Sequence, residues 1–314
     1  MILQALRRLR LGGVLGINSR NADYIMRWNP RSRFPLVDNK VLTKKMAEEH
    51  GIPTPALYLL IEKHGDLPAL PRLLEGKAEF AVKPARGSGG SGIVLVREQS
   101  ERGYVTQSGE LIPFGDFAHH VSDILSGIFS LSGLEDIAIV EALIHPDTVF
   151  GDVSYQGVPD VRIVVYRGVP AMSMVRLPTK ASDGKANLHR GAIGAGIEIA
   201  KGTTVTAVHR SKIVARHPDT GNPVSGIQVP YWDEMLRIAA GTFEMTGLGY
   251  IGVDIALDRD RGPLLLELNA RPGLAIQLAN GHGLRERLEQ IDRLPAGILA
   301  NPEERVVWAK RTFH

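Results

Sequence analysis

Three oxygen-bearing side chains late in the chain are spaced to share a cation. Glu267 and Asn269 lie in Pro263-Leu-Leu-Leu-Glu-Leu-Asn-Ala-Arg-Pro-Gly273. Its apolar run has strand length, and residues two apart on a strand project from one face. Asp254 lies in a second apolar run, Tyr250-Ile-Gly-Val-Asp-Ile-Ala-Leu257, and the polar Asp258-Arg-Asp-Arg-Gly262 between the two runs reads as a turn. The pair is therefore expected to be a hairpin that sets Asp254 beside Glu267. Two carboxylates and an amide oxygen suit a hard cation such as magnesium, which keeps positions open for phosphate and water. The bland alternative is a solvated strand end with incidental acids.

A second stretch, Glu79-Phe-Ala-Val-Lys-Pro-Ala-Arg-Gly-Ser-Gly-Gly-Ser-Gly-Ile-Val-Leu-Val96, carries glycines at 87, 89, 90 and 92 with Ser88 among them. A dinucleotide fold needs a helix after such glycines. Here the following residues are apolar and partly β-branched, so strand follows loop follows strand. Bare backbone N–H groups in such a flap can approach a phosphate closely, and Lys83 adds a positive charge. A flexible surface hairpin is the alternative.

These residues need elements to hold them. Residues 2–11 have apolar spacing for a short amphipathic helix, which leaves packing, membrane-surface contact or protein docking open, and 12–37 read as an irregular arm rich in Gly, Asn, Arg and Pro. Residues 38–50 read as a helix closed by Gly51 and Pro53, followed by a strand at 56–61 and a short helix at 69–75. Residues 97–113 look turn-rich, 115–131 helical with Phe117, Val121, Ile124, Leu125 and Ile128 inward, and 136–144 a strand. The segment from Asp160 to Arg176 reads as strand, turn, strand, with Asp160 and Arg162 on one face. Asn187-Leu-His-Arg-Gly191 follows a polar loop that suggests anion contact, 231–245 reads as an amphipathic helix, and helix is also suggested at 276–278 and 284–291.

Composition narrows the classes. With no cysteine, the chain has no disulfide, thiolate metal site or cysteine nucleophile. Its net charge of +3 over 314 residues is mild and aromatics are 6%, so the interleaved aromatic and basic stripe of a nucleic-acid binder is not expected. No apolar run approaches the roughly 18 residues of a membrane span, and the arginines of the first ten residues come too late for a signal peptide. A cytoplasmic protein is the default.

Lys40 before Gly51-Ile-Pro53, Val82-Lys-Pro84 with the 87–92 glycines, Asp160-Val-Arg162 through Asn187-Leu-His-Arg-Gly191, and Glu267-Leu-Asn269 before Pro272-Gly273 together resemble the ATP-grasp superfamily, and within it RimK-like ligases of the α-L-glutamate ligase group. The resemblance implies an α+β fold of two lobes with the nucleotide between them, lacking a full Rossmann-like domain ahead of Lys40. Its expected divisions are a helix and arm (1–37), an N-terminal lobe with the flap (38–140), a C-terminal lobe with the metal site (141–294) and a tail (295–314).

The resemblance also implies roles. Lys40 and Lys83 would contact ATP, and Gly87, Ser88, Gly89 and Gly90 would close over its phosphates. Glu141 and Ala142 would meet adenine. Asp160 would meet the nucleoside, with Asp147 and Asp152 as alternatives. Asn187 belongs to a phosphate site, Arg176 and Arg190 neutralise phosphate charge, and Asp254, Glu267 and Asn269 hold Mg2+, with Mn2+ able to replace it. Arg271 stands where many relatives carry a small residue, and three roles stay open for it: binding an acyl phosphate, binding a substrate carboxylate, or pairing with a core acid. The implied reaction joins a carboxylate to an amine through an acyl phosphate, with amino-acid and amine-bearing substrates, glutamate and peptides among them. An ATP-grasp enzyme with a non-peptide product and a nucleotide-binding regulator are the competing readings. Oligomeric state is open.

Overall fold

Antiparallel strand pairing organises both halves of the molecule. The computed structural model describes residues 12–87, 89–130, 133–295 and 300–314. They divide into two compact units, one of 39–45 and 54–144, the other of the residues up to 38, 46–53 and 145–314.

The smaller unit is a six-stranded sheet of β1 (Leu57–Ile61), β2 (Phe80–Pro84), β3 (Val94–Ser100), β4 (Gly103–Thr106), β5 (Leu111–Pro113) and β6 (Ala138–Glu141), in the order β1-β6-β2-β3-β4-β5. The helix Phe114–Leu125 buries Phe117, Val121, Ile124 and Leu125 against Phe80, Val96 and Tyr104. The rings of Tyr104 and Phe117 lie 4.4 Å apart at their centroids. Strands β2 and β3 flank the glycine loop, as the sequence predicts. The expected turn-rich stretch 97–113 instead extends the sheet, because Val96, Gly103 and Tyr104 are buried between polar neighbours that mask the pattern. Ile128, expected inward, is 64% exposed because the helix stops at Leu125 before Gly127, whose φ is +78°.

The larger unit is a seven-stranded sheet of β7 (Asp160–Tyr166), β8 (Val169–Leu177), β9 (Ile193–Ile197), β10 (Thr204–His209), β11 (Lys212–Val214), β12 (Tyr250–Asp258) and β13 (Gly262–Asn269), in the order β11-β10-β9-β8-β7-β12-β13. Near-continuous apolar runs make β8 and β12 almost wholly buried, as expected for strands covered on both faces. The Trp232–Thr246 helix supplies core residues Met235, Ile238 and Ala239. The unassigned tail proves to contain a helix, Pro302–Thr312, capped by Asn301 accepting from the Glu303 N–H and fixed to the Trp232–Thr246 helix by the Arg305–Glu244 ion pair.

The stretch read as an irregular arm contains a helical run, Ile17–Ser19, the π-helical Arg20–Ile25, and Met26–Trp28. Tertiary packing overrides its composition here: Tyr24 meets Tyr166 edge to face at 5.3 Å and Trp28 meets the same ring at 6.3 Å. The amphipathic helix expected at 2–11 lies outside the described residues. No helix among the described residues is long and apolar enough to cross a membrane.

Candidate active site

In the larger unit, backbone register brings the candidate acids together. Asp254 on β12 faces Glu267 on β13 on one side and Arg162 on β7 on the other, while Asp160 pairs with Arg176 on β8. Asp254 is fully buried. Arg162 donates from Nε to its Oδ1 (2.6 Å) and from Nη2 to its Oδ2 (2.5 Å). Arg176 donates from Nε and Nη2 to the two oxygens of Asp160 (2.5 and 2.6 Å), and Nη2 also reaches Asp254 Oδ2 (2.8 Å). Asn269 Nδ2 lies 3.3 Å from Asp254 Oδ2 and 3.4 Å from Glu267 Oε1.

The electrostatics follow from this crowding. Burial pushes the Asp254 carboxyl up, but Arg162 and Arg176 outweigh it and hold the group well below the usual carboxylate range. Burial raises Asp160 to about 6, with Arg176 opposing and the Asp254 charge adding to the rise. Burial pulls the Arg176 guanidinium down, yet Asp160 and Asp254 drive it net upward. Three acidic side chains, Asp160, Asp254 and Glu267, thus meet two guanidiniums, Arg162 and Arg176, on one stretch of the sheet.

The converging oxygen-bearing side chains of Asp254, Glu267 and Asn269 fit a hard divalent cation. The amide of Asn269 would turn its oxygen inward, an exchange of N and O that its hydrogen bonds alone do not fix. Among the described residues no cluster of three or more acidic, histidine or cysteine side chains is placed to hold a metal; the fit here rests on two acids and an amide. Asp160, expected to meet a nucleoside, is engaged through both oxygens as an arginine partner. Of its alternatives, Asp147 caps the 3-10 turn Thr148–Val153 through the Val149 N–H, and Asp152 accepts from Asn222 through its backbone carbonyl.

Close packing lays loops over this face. A Cβ on Gly252, the register partner of Asn269, would come 2.7 Å from Pro272 Cβ, and one on Gly194, the partner of Arg176, would come 3.0 Å from Leu188. Leu188 belongs to the 3-10 turn Leu188–Arg190, where Asn187 Oδ1 accepts from the His189 N–H and Gly191 closes the turn at φ +106°. Asn187 and Arg190 thus lie on a turn beside Arg176's strand neighbour. Arg271 is exposed, with its guanidinium 5.3 Å from the Phe34 ring centroid.

In the smaller unit, Lys83 and Lys44 both reach Glu141, at 2.5 and 2.9 Å. Burial raises the Glu141 carboxyl, and the two lysines outweigh it and bring it below its ordinary value. Lys40 Nζ donates to the Gly87 carbonyl (2.6 Å), at the root of the flap, and the Ala142 N–H donates to the Ala56 carbonyl (2.8 Å). Gly89, Gly90 and Gly92 all have positive φ, between +63° and +75°, which glycine adopts without strain. Ser88 lies outside the described residues.

Two site residues were given no role by the sequence. Arg162 was legible within the Asp160-Val-Arg162 motif and as sharing a face with Asp160, but its pairing with Asp254 was not, since that partner lies 92 residues away. Lys44 follows Lys40 by one helical turn, and that i,i+4 spacing was its available signal.

The model of the sugar-transfer associated ATP-grasp family matches residues 19–293. A probable alpha-L-glutamate ligase of Aeromonas salmonicida is 28% identical over 146 residues, which is 46% of this chain and 38% of the relative. The chain thus spans well under half the length of that curated relative. Among solved structures, D-cycloserine synthetase DcsG is 15% identical, with 90% of this chain and 72% of that one covered and a TM-score of 0.45. D-alanyl-alanine synthetase A from Vibrio cholerae is 14% identical, with 82% and 64% covered and a TM-score of 0.45. With nearly its whole described length matched by one family model, the chain belongs to the sugar-transfer associated ATP-grasp family.

Proposed function

We propose that the chain is an ATP-dependent ligase that joins a carboxylate to an amine through an acyl phosphate, with an amino acid such as glutamate as one substrate and a peptide, protein or small amine as the other. The observation that carries this reading is the buried Asp254, held between Arg162 and Arg176 and set beside Glu267 and Asn269. A carboxylate oxygen of the substrate attacks the γ-phosphorus of ATP, the bond to the β,γ-bridging oxygen breaks, and ADP leaves. The amine then attacks the acyl carbon, loses a proton and expels phosphate. No protein nucleophile is needed, only alignment and charge neutralisation.

Asp254, Glu267 and Asn269 would hold Mg2+, or Mn2+ in its place, and the ion would neutralise charge on the β and γ oxygens. Arg176 and Arg190 would stabilise the transferring phosphoryl group, with Asn187 positioned beside it. Lys40 and Lys83 would bind nucleotide phosphates under the Gly87–Gly90 loop, with Glu141 and Ala142 toward adenine and Asp160 toward the nucleoside. Asp160 does this while orienting Arg176.

The family's description, which associates it with sugar transfer, supports a second reading in which the acceptor carries a sugar and the product is not a peptide. One experiment tests both: coupled ADP release with ATP and Mg2+ across amino acids, amino sugars and small peptides. Release that needs one acid and one amine is the expected result, and mass spectrometry of the product separates amide from phosphorylated substrate. ATP turnover absent across every pair would overturn the ligase reading.

A further inference from the structure

Arg20 is buried, at 7% exposure, and no carboxylate of the described residues lies against it. Its Nη1 donates to the Pro272 carbonyl (2.8 Å), and Nε and Nη2 donate to Asn21 Oδ1 (3.1 and 2.8 Å). Its acceptors among the described residues are all neutral. The residues outside the described set contain neither Asp nor Glu, so they supply no counter-ion either. Several other deeply placed guanidiniums are paired, Arg162 with Asp254, Arg176 with Asp160 and Arg305 with Glu244, whereas Arg287, which donates to the Ala171 carbonyl, shares with Arg20 the lack of an acidic side-chain partner among the described residues. A buried charge without an opposite charge is costly, and such groups are normally paired.

A second cation stands next to it. Arg271 precedes the proline whose carbonyl Arg20 holds, is exposed, and forms no ion pair with any described residue. Of the three roles left open for it, pairing with a core acid is not seen among the described residues. Burial lowers the pKa of Arg20, with the nearby Tyr250 opposing this and Arg271 adding to it. The Tyr250 hydroxyl is itself buried without a hydrogen-bond partner among the described residues. Arg271 and the Pro272 carbonyl that Arg20 holds belong to one segment at the exit of β13, where Pro272 packs on Gly252, the register partner of Asn269.

We propose that Arg20 and Arg271 form a subsite for an anionic group, a carboxylate or a phosphate, of the substrate that reacts beside Asp254 and Glu267. A guanidinium fork binds either group through paired N–H bonds, and each terminal nitrogen of Arg20 keeps one N–H that the described residues do not use. As a substrate subsite this deepens and rests on the ligase reading; as an anion site it stands without it.

The test is calorimetric titration of the full chain, in excess ADP so that the nucleotide site does not take the probe, with L-glutamate, inorganic phosphate and the neutral L-glutamine. Binding of glutamate identifies a carboxylate site, binding of phosphate a phosphate site. In either case affinity is expected to fall at least tenfold in Arg271→Gln and in Arg20→Gln, and glutamine is expected to bind at least tenfold more weakly than glutamate where glutamate binds. Arg271 is exposed, so Arg271→Gln decides the matter if Arg20→Gln does not fold. The proposal is overturned if neither anion binds the wild type, or if Arg271→Gln binds it unchanged. Arginine-dependent anion binding without ADP release from any substrate pair would leave the subsite standing and remove the ligase reading. ADP release with the KM for the acid substrate unchanged in Arg271→Gln would do the reverse.

Discussion

Two acids that face each other across one hairpin should respond very differently to loss of charge. Asp254 is fully buried and accepts from two guanidiniums, whereas Glu267 is only partly buried. Asp254→Asn leaves Arg162 and the shared edge of Arg176 without their anion, a change expected to cost about 2–4 kcal/mol. Glu267→Gln is expected to cost less than about 1 kcal/mol. Both are expected to lower ADP release at least 100-fold, and thermal unfolding beside the coupled assay separates the two effects. Equal activity in wild type and Glu267→Gln would remove Glu267 from the site. The residue types that bear this chemistry were readable from spacing because a hairpin is local: Asp254 and Glu267 lie 13 positions apart and their turn is written between them. Arg162, Lys44 and Arg20 were not, because each acquires its meaning from a partner far along the chain, Asp254, Glu141 and Pro272. No local pattern encodes a pairing made by sheet register or by a loop closing over a strand.

The hairpin that carries the acids depends on its turn. Asp258 Oδ1 accepts from the N–H groups of Asp260 (3.0 Å) and Arg261 (2.9 Å), and Oδ2 accepts from the His145 N–H (3.0 Å) and Arg261 Nη2 (2.6 Å). Burial opposes ionisation, but these donors hold the carboxyl at about 2. Its folded value lies below its unfolded value of about 3.9, so the stabilisation is present above pH about 4 and is lost as pH falls through about 2. On the order of 1–2 kcal/mol is expected from this group at neutral pH. Urea unfolding from pH 7 to 2.5 should show that decline in the wild type and a smaller one in Asp258→Asn. Gly252 tests the covering loop: Gly252→Ala drives a methyl to within 2.7 Å of Pro272 Cβ, with about 1–3 kcal/mol of overpacking expected. Because the displaced segment holds Arg271, the KM for the acid substrate should rise along with the loss of stability. Strands were mostly legible as apolar runs, while β4 and β5 were hidden because they are only four and three residues long and partly exposed, which resembles a polar turn. The helical run at 17–28 was hidden for the opposite reason: its local composition disfavours helix, and packing of Tyr24 and Trp28 on Tyr166 supplies what propensity does not.

At the scale of the molecule, the candidate groups are shared out between two units with separate apolar clusters. Lys40, Lys44, Lys83 and Glu141 belong to the smaller unit, and the Asp254 cluster belongs to the larger. Under the proposed function, the groups of each unit can be measured separately. Nucleotide binding without metal should draw on the lysines, since a phosphate can replace the single Glu141 that Lys44 and Lys83 both hold. Binding of Mn2+ without nucleotide should draw on Asp254, Glu267 and Asn269. Lys83→Met is therefore expected to weaken ADP at least tenfold in calorimetry while leaving the Mn2+ electron paramagnetic resonance titration unchanged. Glu267→Gln is expected to weaken Mn2+ at least tenfold and leave metal-free ADP binding unchanged. In each variant the untouched ligand acts as an internal control for folding of the other unit. Loss of both ligands in both variants would instead mean that neither the lysines nor the acids bind their ligand on their own.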